Sequence, residues 1–128
     1  MESQLIALVV EDDEDQNVIF AAALEQAGYL VKSAHNGMEA RKFLTEIIPN
    51  LIILDLHMPG VSGDVLLKEI RTNETLKNIR VIIATSDAAF VASLQFSAEL
   101  VLLKPIGFSQ LSQLAKRFAQ KPNIPKAP

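Results

Sequence analysis

Residues 51–60 read Leu-Ile-Ile-Leu-Asp-Leu-His-Met-Pro-Gly, so four apolar residues end at an aspartate shortly before a Pro-Gly turn. A continuous apolar run this short and this rich in branched side chains predicts a strand that is buried on both faces. An aspartate that closes such a strand is costly to leave without a partner. Residues 51–54 are therefore predicted to form a strand of a covered parallel sheet, with Asp55 in a site at its carboxyl end.

Three other short polar segments also follow apolar runs. They are Val-Glu-Asp-Asp at 10–13, Thr-Ser at 85–86 and Lys-Pro at 104–105. The carboxyl ends of parallel strands meet at one edge of the sheet, where open α/β sheets place their ligands. We therefore expect five side chains to converge at this edge, namely Glu11, Asp12, Asp55, Thr85 and Lys104.

Apolar runs alternate with segments of helical periodicity along the whole chain. The predicted strands cover residues 5–10, 29–34, 51–54, 81–84 and 100–103. The predicted helices cover residues 15–27, 37–48, 64–71, 88–95 and 109–119. This alternation indicates a doubly wound α/β fold with a five-stranded parallel sheet and five helices. At this size, right-handed crossovers favour the flavodoxin-like strand order 2-1-3-4-5.

The composition is that of a globular domain. Of 128 residues, 49% are hydrophobic and 21% charged, and residues 1–120 are predicted to form one domain. Residues 121–128 contain three prolines and are predicted to be a tail or the start of a linker. Without a long apolar run or any cysteine, the sequence argues against a membrane span and thiolate chemistry, and it favours a cytoplasmic location. The net charge of −3 argues against direct nucleic-acid binding.

The three carboxylates would be costly to bring together without compensation. Two carboxylates about 4 Å apart repel by roughly 4 kcal/mol at an effective dielectric constant of about 20. Such a cluster raises one pKa, binds a cation, or does both, and oxygen-only ligands predict Mg²⁺ as that cation. Asp55 is then the candidate nucleophile toward phosphorus, with the Lys104 ammonium and the Thr85 hydroxyl beside the transferred group.

Each polar segment also has a plain structural interpretation when it is taken alone. Acidic residues after a strand often cap the next helix, a role that Asp13 or Asp15 could fill here. A Lys-Pro pair or a threonine at a strand end is individually a weak signal. The conjunction of all four segments in this order is what indicates a functional site.

The four segments resemble those of response-regulator receiver domains of two-component signalling, over about residues 4–119. The resemblance implies that Asp55 is the phosphoacceptor. It implies that Asp12 and Asp55 bind Mg²⁺ directly, that Glu11 acts mainly through water, and that the backbone carbonyl of His57 completes the metal site. By the same resemblance, Thr85 is the switch hydroxyl and Lys104 pairs with the phosphoryl group.

This chain departs from the receiver pattern at two places. Val101 stands where receivers usually carry a Tyr or Phe, and the spacing from Thr85 to Lys104 is about one helical turn short. The helix between the fourth and fifth strands is therefore predicted to be truncated, which puts the usual aromatic-coupled output in doubt. We also hypothesise that His57 and Asp87, two residues after the acceptor and the switch threonine, tune the lifetime of the acyl phosphate.

The leading functional interpretation is a signalling switch. A histidine kinase or phosphotransfer protein would donate a phosphoryl group to Asp55, and the change would alter binding of an unknown downstream protein, with a weak homodimer also compatible. Such a domain is not an enzyme beyond catalysing its own phosphorylation and dephosphorylation. The alternatives are a pseudo-receiver that only binds a partner and a Mg²⁺-dependent phosphatase with an Asp nucleophile. The phosphatase is disfavoured because His57 replaces the second Asp such enzymes usually carry.

Overall fold

The computed structural model describes residues 4–89, 91 and 97–120. The strands are β1 (Ile6–Val10), β2 (Leu30–Ala34), β3 (Leu51–Asp55), β4 (Arg80–Thr85) and β5 (Leu100–Leu103). The helices in this part of the chain are α1 (Glu14–Gln26), α2 (Gly37–Glu46), α3 (Gly63–Thr72) and α4 (Phe108–Gln120). Most of the helical stretch predicted at 88–95 lies outside the described residues, as does the predicted tail at 121–128, so the truncation of that helix stays a prediction.

All five strands form one parallel sheet in the order β2-β1-β3-β4-β5. This confirms the predicted α/β class and the flavodoxin-like strand order. Asp55 pairs in register with Ala84, and Thr85 pairs with Leu103. Both polar residues therefore belong to the last positions of their strands, one residue further than the predicted bounds.

The sheet is covered on both faces, as an all-parallel sheet requires. Side chains alternate between faces along each strand, so Ile52 and Leu54 pack on the side of α2 and α3. Leu51 and Ile53 pack on the opposite side, in the cluster that holds residues of α1 and α4. All four are at most 1% exposed, so β3 is buried on both faces.

Helix ends follow local chemistry. The Asp13 carboxylate accepts a hydrogen bond from the Gln16 amide at 2.9 Å, so Asp13 rather than Asp15 caps α1. After α1, Gly28 has φ of +102°, a left-handed backbone conformation that glycine adopts without a Cβ penalty.

Within the described residues, no helix is both long and apolar enough to cross a membrane.

Helix α2 is shorter than predicted. It ends at Glu46 instead of residue 48, and Ile47 is already extended, with φ of −132° and ψ of 155°. Pro49 restricts the residue before it to extended backbone, so the chain leaves the helix before the proline is reached. Ile48, counted with the helix in the sequence-based prediction, is exposed.

Candidate functional site

Five predicted site residues lie at the carboxyl edge of the sheet. Glu11 and Asp12 directly follow β1, and Asp55 ends β3. Thr85 ends β4, and Lys104 directly follows β5. Strand order alone brings the ends of β1 and β3 side by side, because they are hydrogen-bonded neighbours at the point where the sheet order reverses.

The three carboxylates form one cluster. Glu11, Asp12 and Asp55 each offer an oxygen atom, and these atoms all lie within 4.8 Å of one another. Glu11 and Asp55 are buried, whereas Asp12 is exposed to solvent. A cation could therefore approach from the Asp12 side.

Lys104 supplies the compensating charge. Its Nζ atom lies 2.7 Å from Glu11 Oε1 and 3.5 Å from Asp55 Oδ1. When all three carboxylates are ionised, the ammonium leaves two negative charges at the edge, which matches the charge of a divalent ion. Three oxygen donors with no nitrogen or sulfur donor suit Mg²⁺, so the side chains of this cluster fit the predicted metal.

The Asp55 carboxylate is hard to ionise in this arrangement. Burial, followed by the charge of Glu11, raises the pKa of Asp55 from 3.8 to about 7, and Lys104 opposes the shift. The hydrogen-bonded Glu11 and Asp12 carboxyls raise this pKa further. Without an added cation, burial therefore favours the protonated form of Asp55, whereas a cation beside it favours the ionised carboxylate.

Glu11 is held by protein donors on both of its oxygens. Lys104 Nζ donates to Oε1, and the Asp13 amide donates to Oε2 at 3.1 Å. This leaves Glu11 less available to an ion than Asp12, and its action through water remains a prediction.

Thr85 is fully buried and bonded at two atoms. Its Oγ1 accepts a hydrogen bond from the Asp87 amide at 3.1 Å, and its carbonyl accepts one from the Lys104 amide at 2.7 Å. The first bond leaves the hydroxyl proton available for donation. The second bond ties the ends of β4 and β5 together, which places the Thr85 and Lys104 segments at the same edge. The Lys104–Pro105 peptide bond is cis.

His57 lies beside the cluster. Its backbone amide lies 3.4 Å from Asp55 Oδ1, to which it donates a long hydrogen bond. Its imidazole Nε2 lies 3.8 Å from Asp87 Oδ2, with 55% and 44% of the two side chains exposed. The pair therefore connects the loops after β3 and β4, whose backbone amides contact Asp55 and Thr85, and the ligand role of the His57 carbonyl remains a prediction.

Two further residues shape the site, and the contact that each one makes was not predicted from the sequence. Gly63 lies against the end of β3, where an added Cβ would meet the Asp55 carbonyl oxygen and come within 2.7 Å of Leu56 Cα. Asn17 is buried on α1 and bonds to the Glu11 carbonyl. A polar residue at the spacing of the apolar Phe20 and Leu24 was the available signal for Asn17, whereas nothing local marks the close approach at Gly63.

Val101 stands where receivers usually carry a Tyr or Phe. Val101 lies in β5 opposite Ile83 and packs against the core cluster on the α2 and α3 side of the sheet. A partly buried valine there has no ring to rotate between inward and outward positions. The residue that departs from the receiver pattern is therefore a packed aliphatic side chain.

Comparison with known proteins places the chain in one family. A model of the response regulator receiver domain matches residues 7–116. The two-component response regulator ORR6 of Oryza sativa subsp. japonica is 32% identical over 122 residues, covering 91% of this chain and 72% of that protein. Sporulation initiation phosphotransferase F of Bacillus subtilis is 30% identical over 115 residues, covering 87% of this chain and 90% of that protein.

The fold has close structural counterparts. Response regulator TrrA from Thermotoga maritima, solved in complex with Mg²⁺-BeF, superposes with a TM-score of 0.79 at 29% identity, covering 90% of this chain and 99% of that one. Several other curated relatives are longer, and the match spans 26% to 51% of their lengths. The family match over residues 7–116, the curated relatives and the shared fold together show that this chain belongs to the response regulator receiver domains of two-component systems.

Proposed function

We propose that residues 1–120 form a phosphoacceptor domain in which Asp55 takes a phosphoryl group from a histidine kinase or a phosphotransfer protein. The observation that carries this proposal is the placement of the Lys104 ammonium 3.5 Å from Asp55 Oδ1, beside a cluster of three carboxylate oxygens. A nucleophile, a cation and a metal-binding set at one sheet edge are the parts that phosphoryl transfer needs.

Asp12 and Asp55 are the proposed direct ligands of Mg²⁺. Glu11 acts through water, and the His57 carbonyl completes the set. A bound Mg²⁺ would neutralise the carboxylates and stabilise the negative charge on the oxygens of the transferred group. Asp12 is exposed and would contact an ion that arrives from solvent. Asp55 is buried and carries the reacting oxygen.

The transfer makes one bond and breaks another. An Asp55 carboxylate oxygen attacks phosphorus, the P–N bond of the donor phosphohistidine breaks, and the leaving imidazole keeps the bonding electron pair and takes up a proton. The product is an acyl phosphate on Asp55. Lys104 and the Thr85 hydroxyl then contact the phosphoryl oxygens, and water later hydrolyses the acyl phosphate in the domain's own dephosphorylation.

The acyl phosphate acts as a switch on a downstream protein. It adds roughly −1.5 to −2 charges to the edge of the sheet. Moving a two-state equilibrium from mostly inactive to mostly active requires about 5.5 kcal/mol of differential interaction, for which the new contacts of Thr85 and Lys104 are the proposed source. The phosphorylated domain acts on a downstream protein or forms a weak homodimer. The proposed location is the cytoplasm, and residues 121–128 are proposed to be a tail or the start of a linker.

The experiment is intact mass measurement after incubation with Mg²⁺ and acetyl phosphate. The wild type should gain one phosphoryl group, and chelation of Mg²⁺ should prevent the gain. Asp55→Asn should gain none, while Glu25→Gln, which changes an exposed carboxylate near the carboxyl end of α1, should still be phosphorylated. No gain in the wild type would favour the pseudo-receiver, for which the packed Val101 is the supporting observation.

A further inference from the structure

Asn17 is a polar residue in an apolar layer. It lies on α1, is 2% exposed, and shares a helix face with the buried Phe20 and Leu24. An amide in such a place is costly unless its hydrogen-bonding groups are satisfied. Its contacts therefore account for why an amide is present where an apolar residue would pack as well.

Asn17 Nδ2 donates two hydrogen bonds, one to the Glu11 carbonyl at 2.9 Å and one to the Ala34 carbonyl at 3.1 Å. The Ala34 carbonyl also accepts a bond from the Glu11 amide at 3.1 Å. Both polar backbone atoms of Glu11 are thus fixed, the amide by the end of β2 and the carbonyl by Asn17.

The Glu11 carbonyl belongs to the peptide unit that joins Glu11 to Asp12. Because a peptide unit is planar, a bond that fixes its oxygen also fixes the direction in which the chain enters Asp12. That direction decides where the Asp12 carboxylate points relative to Asp55. The exposed Asp12 side chain has no packing of its own to hold it, so its aim depends on the backbone.

We propose that Asn17 is a positioning residue for the divalent cation. It acts through the Glu11–Asp12 peptide and keeps the carboxylates of these two residues close to that of Asp55. This inference rests on the proposed function, because it requires that the cluster bind Mg²⁺. Only an amide side chain of this size offers two donors from one nitrogen and so satisfies two carbonyls at once. Residues that orient a metal ligand typically change metal affinity by about 10- to 100-fold when they are replaced.

A purely structural role predicts a different result. If Asn17 only joined α1 to β2, its loss would lower stability without a selective change in cation affinity. Tyr29→Phe is a matched control, since Tyr29 is also buried and its hydroxyl donates to a backbone carbonyl, that of Ala115, at 2.9 Å. Tyr29 directly precedes β2, at the opposite edge of the sheet from the acidic cluster.

The test measures Mg²⁺ affinity by calorimetry and melting temperature without metal for the wild type, Asn17→Leu, Asn17→Ala and Tyr29→Phe. Both Asn17 variants should bind Mg²⁺ at least about 10-fold more weakly than the wild type. Tyr29→Phe should lower the melting temperature comparably and bind Mg²⁺ as the wild type does. Asn17 variants that bind as tightly as Tyr29→Phe would overturn the positioning role while leaving the proposed function intact.

Two further outcomes separate the proposals. A wild type that binds no Mg²⁺ would overturn the proposed function and this inference together. If neither Asn17 variant folds, NMR titration of the wild type decides, because the Asn17 side-chain amide resonance should shift with the same midpoint as the Asp12 amide. A resonance that stays unchanged as Mg²⁺ saturates the site would contradict the proposal.

Discussion

Lys104 Nζ lies 2.7 Å from Glu11 Oε1, so an ion pair joins two residues that are 93 positions apart in the sequence. The Glu11 side chain is 1% exposed and that of Lys104 is 12% exposed, so water screens this pair far less than a surface pair. The contact fixes the segment after β5 to the segment after β1. It thereby sets the position of the ammonium beside Asp55.

Lys104→Met should destabilise the domain by about 3–5 kcal/mol, because it leaves the buried Glu11 carboxylate without its cation. The measurement is urea unfolding at about pH 8 in the absence of divalent ions. Adding Glu11→Gln to Lys104→Met should recover much of the loss, since the uncompensated charge is then gone. A double variant as unstable as Lys104→Met would show that the pair does not carry this energy.

The free energy of unfolding should depend on pH through Asp55. Its pKa rises from 3.8 to about 7 on folding, mainly through burial, so the folded chain holds an extra proton between these values. Stability therefore falls as pH rises through this window, and the loss is complete above it. Asp55→Asn should remove this dependence and raise the free energy of unfolding at about pH 8.

Urea unfolding between about pH 4 and pH 8 with a chelator present checks this expectation. Glu25→Gln, which changes an exposed carboxylate near the carboxyl end of α1, is the control. Added Mg²⁺ at about pH 8 should raise the melting temperature of the wild type more than that of Asp55→Asn, because it binds the folded acidic cluster. A wild type whose stability rises steadily between the two pKa values would contradict the assignment.

Gly63→Ala should disturb the acceptor strand. The new Cβ would collide with the Asp55 carbonyl oxygen and the Leu56 backbone, neither of which is the end of a flexible side chain. We expect a loss of about 1–3 kcal/mol in the free energy of unfolding, together with slower phosphorylation by acetyl phosphate. Gly107→Ala is the matched control, because its Cβ would meet nothing within 4 Å.

His57→Ala should shorten the lifetime of the phosphorylated domain several-fold. The imidazole and the Asp87 carboxylate lie 3.8 Å apart and connect two loops in front of Asp55, so the pair limits the approach of water. The measurement is decay of the phosphorylated mass after the donor is removed, with Asp87→Ala expected to behave alike. Slower decay would indicate that the imidazole orients water instead, and an unchanged rate would contradict a role for the pair.

Local sequence patterns predicted most of the fold. Apolar runs located the five strands, and the acidic residues after β1 indicated the cap of α1, which is Asp13. The errors were at boundaries, as at α2, where Ile47 and Ile48 continue the apolar pattern but the chain has already left the helix. Periodicity reports which face is apolar, and it does not report where backbone hydrogen bonding stops.

Sequence patterns were enough to predict that one sheet edge holds Glu11, Asp12, Asp55, Thr85 and Lys104, because each follows or ends a strand of a parallel sheet. How these groups are held depends on contacts formed when the chain folds. The 2.7 Å contact of Lys104 with Glu11 joins residues 93 positions apart. The Asn17 bond to the Ala34 carbonyl spans 17 positions, and the approach of Gly63 to β3, although close in sequence, depends on how the chain after β3 turns back against the strand. Such contacts depend on the packing of helices against the sheet, and no local pattern of residues encodes their geometry.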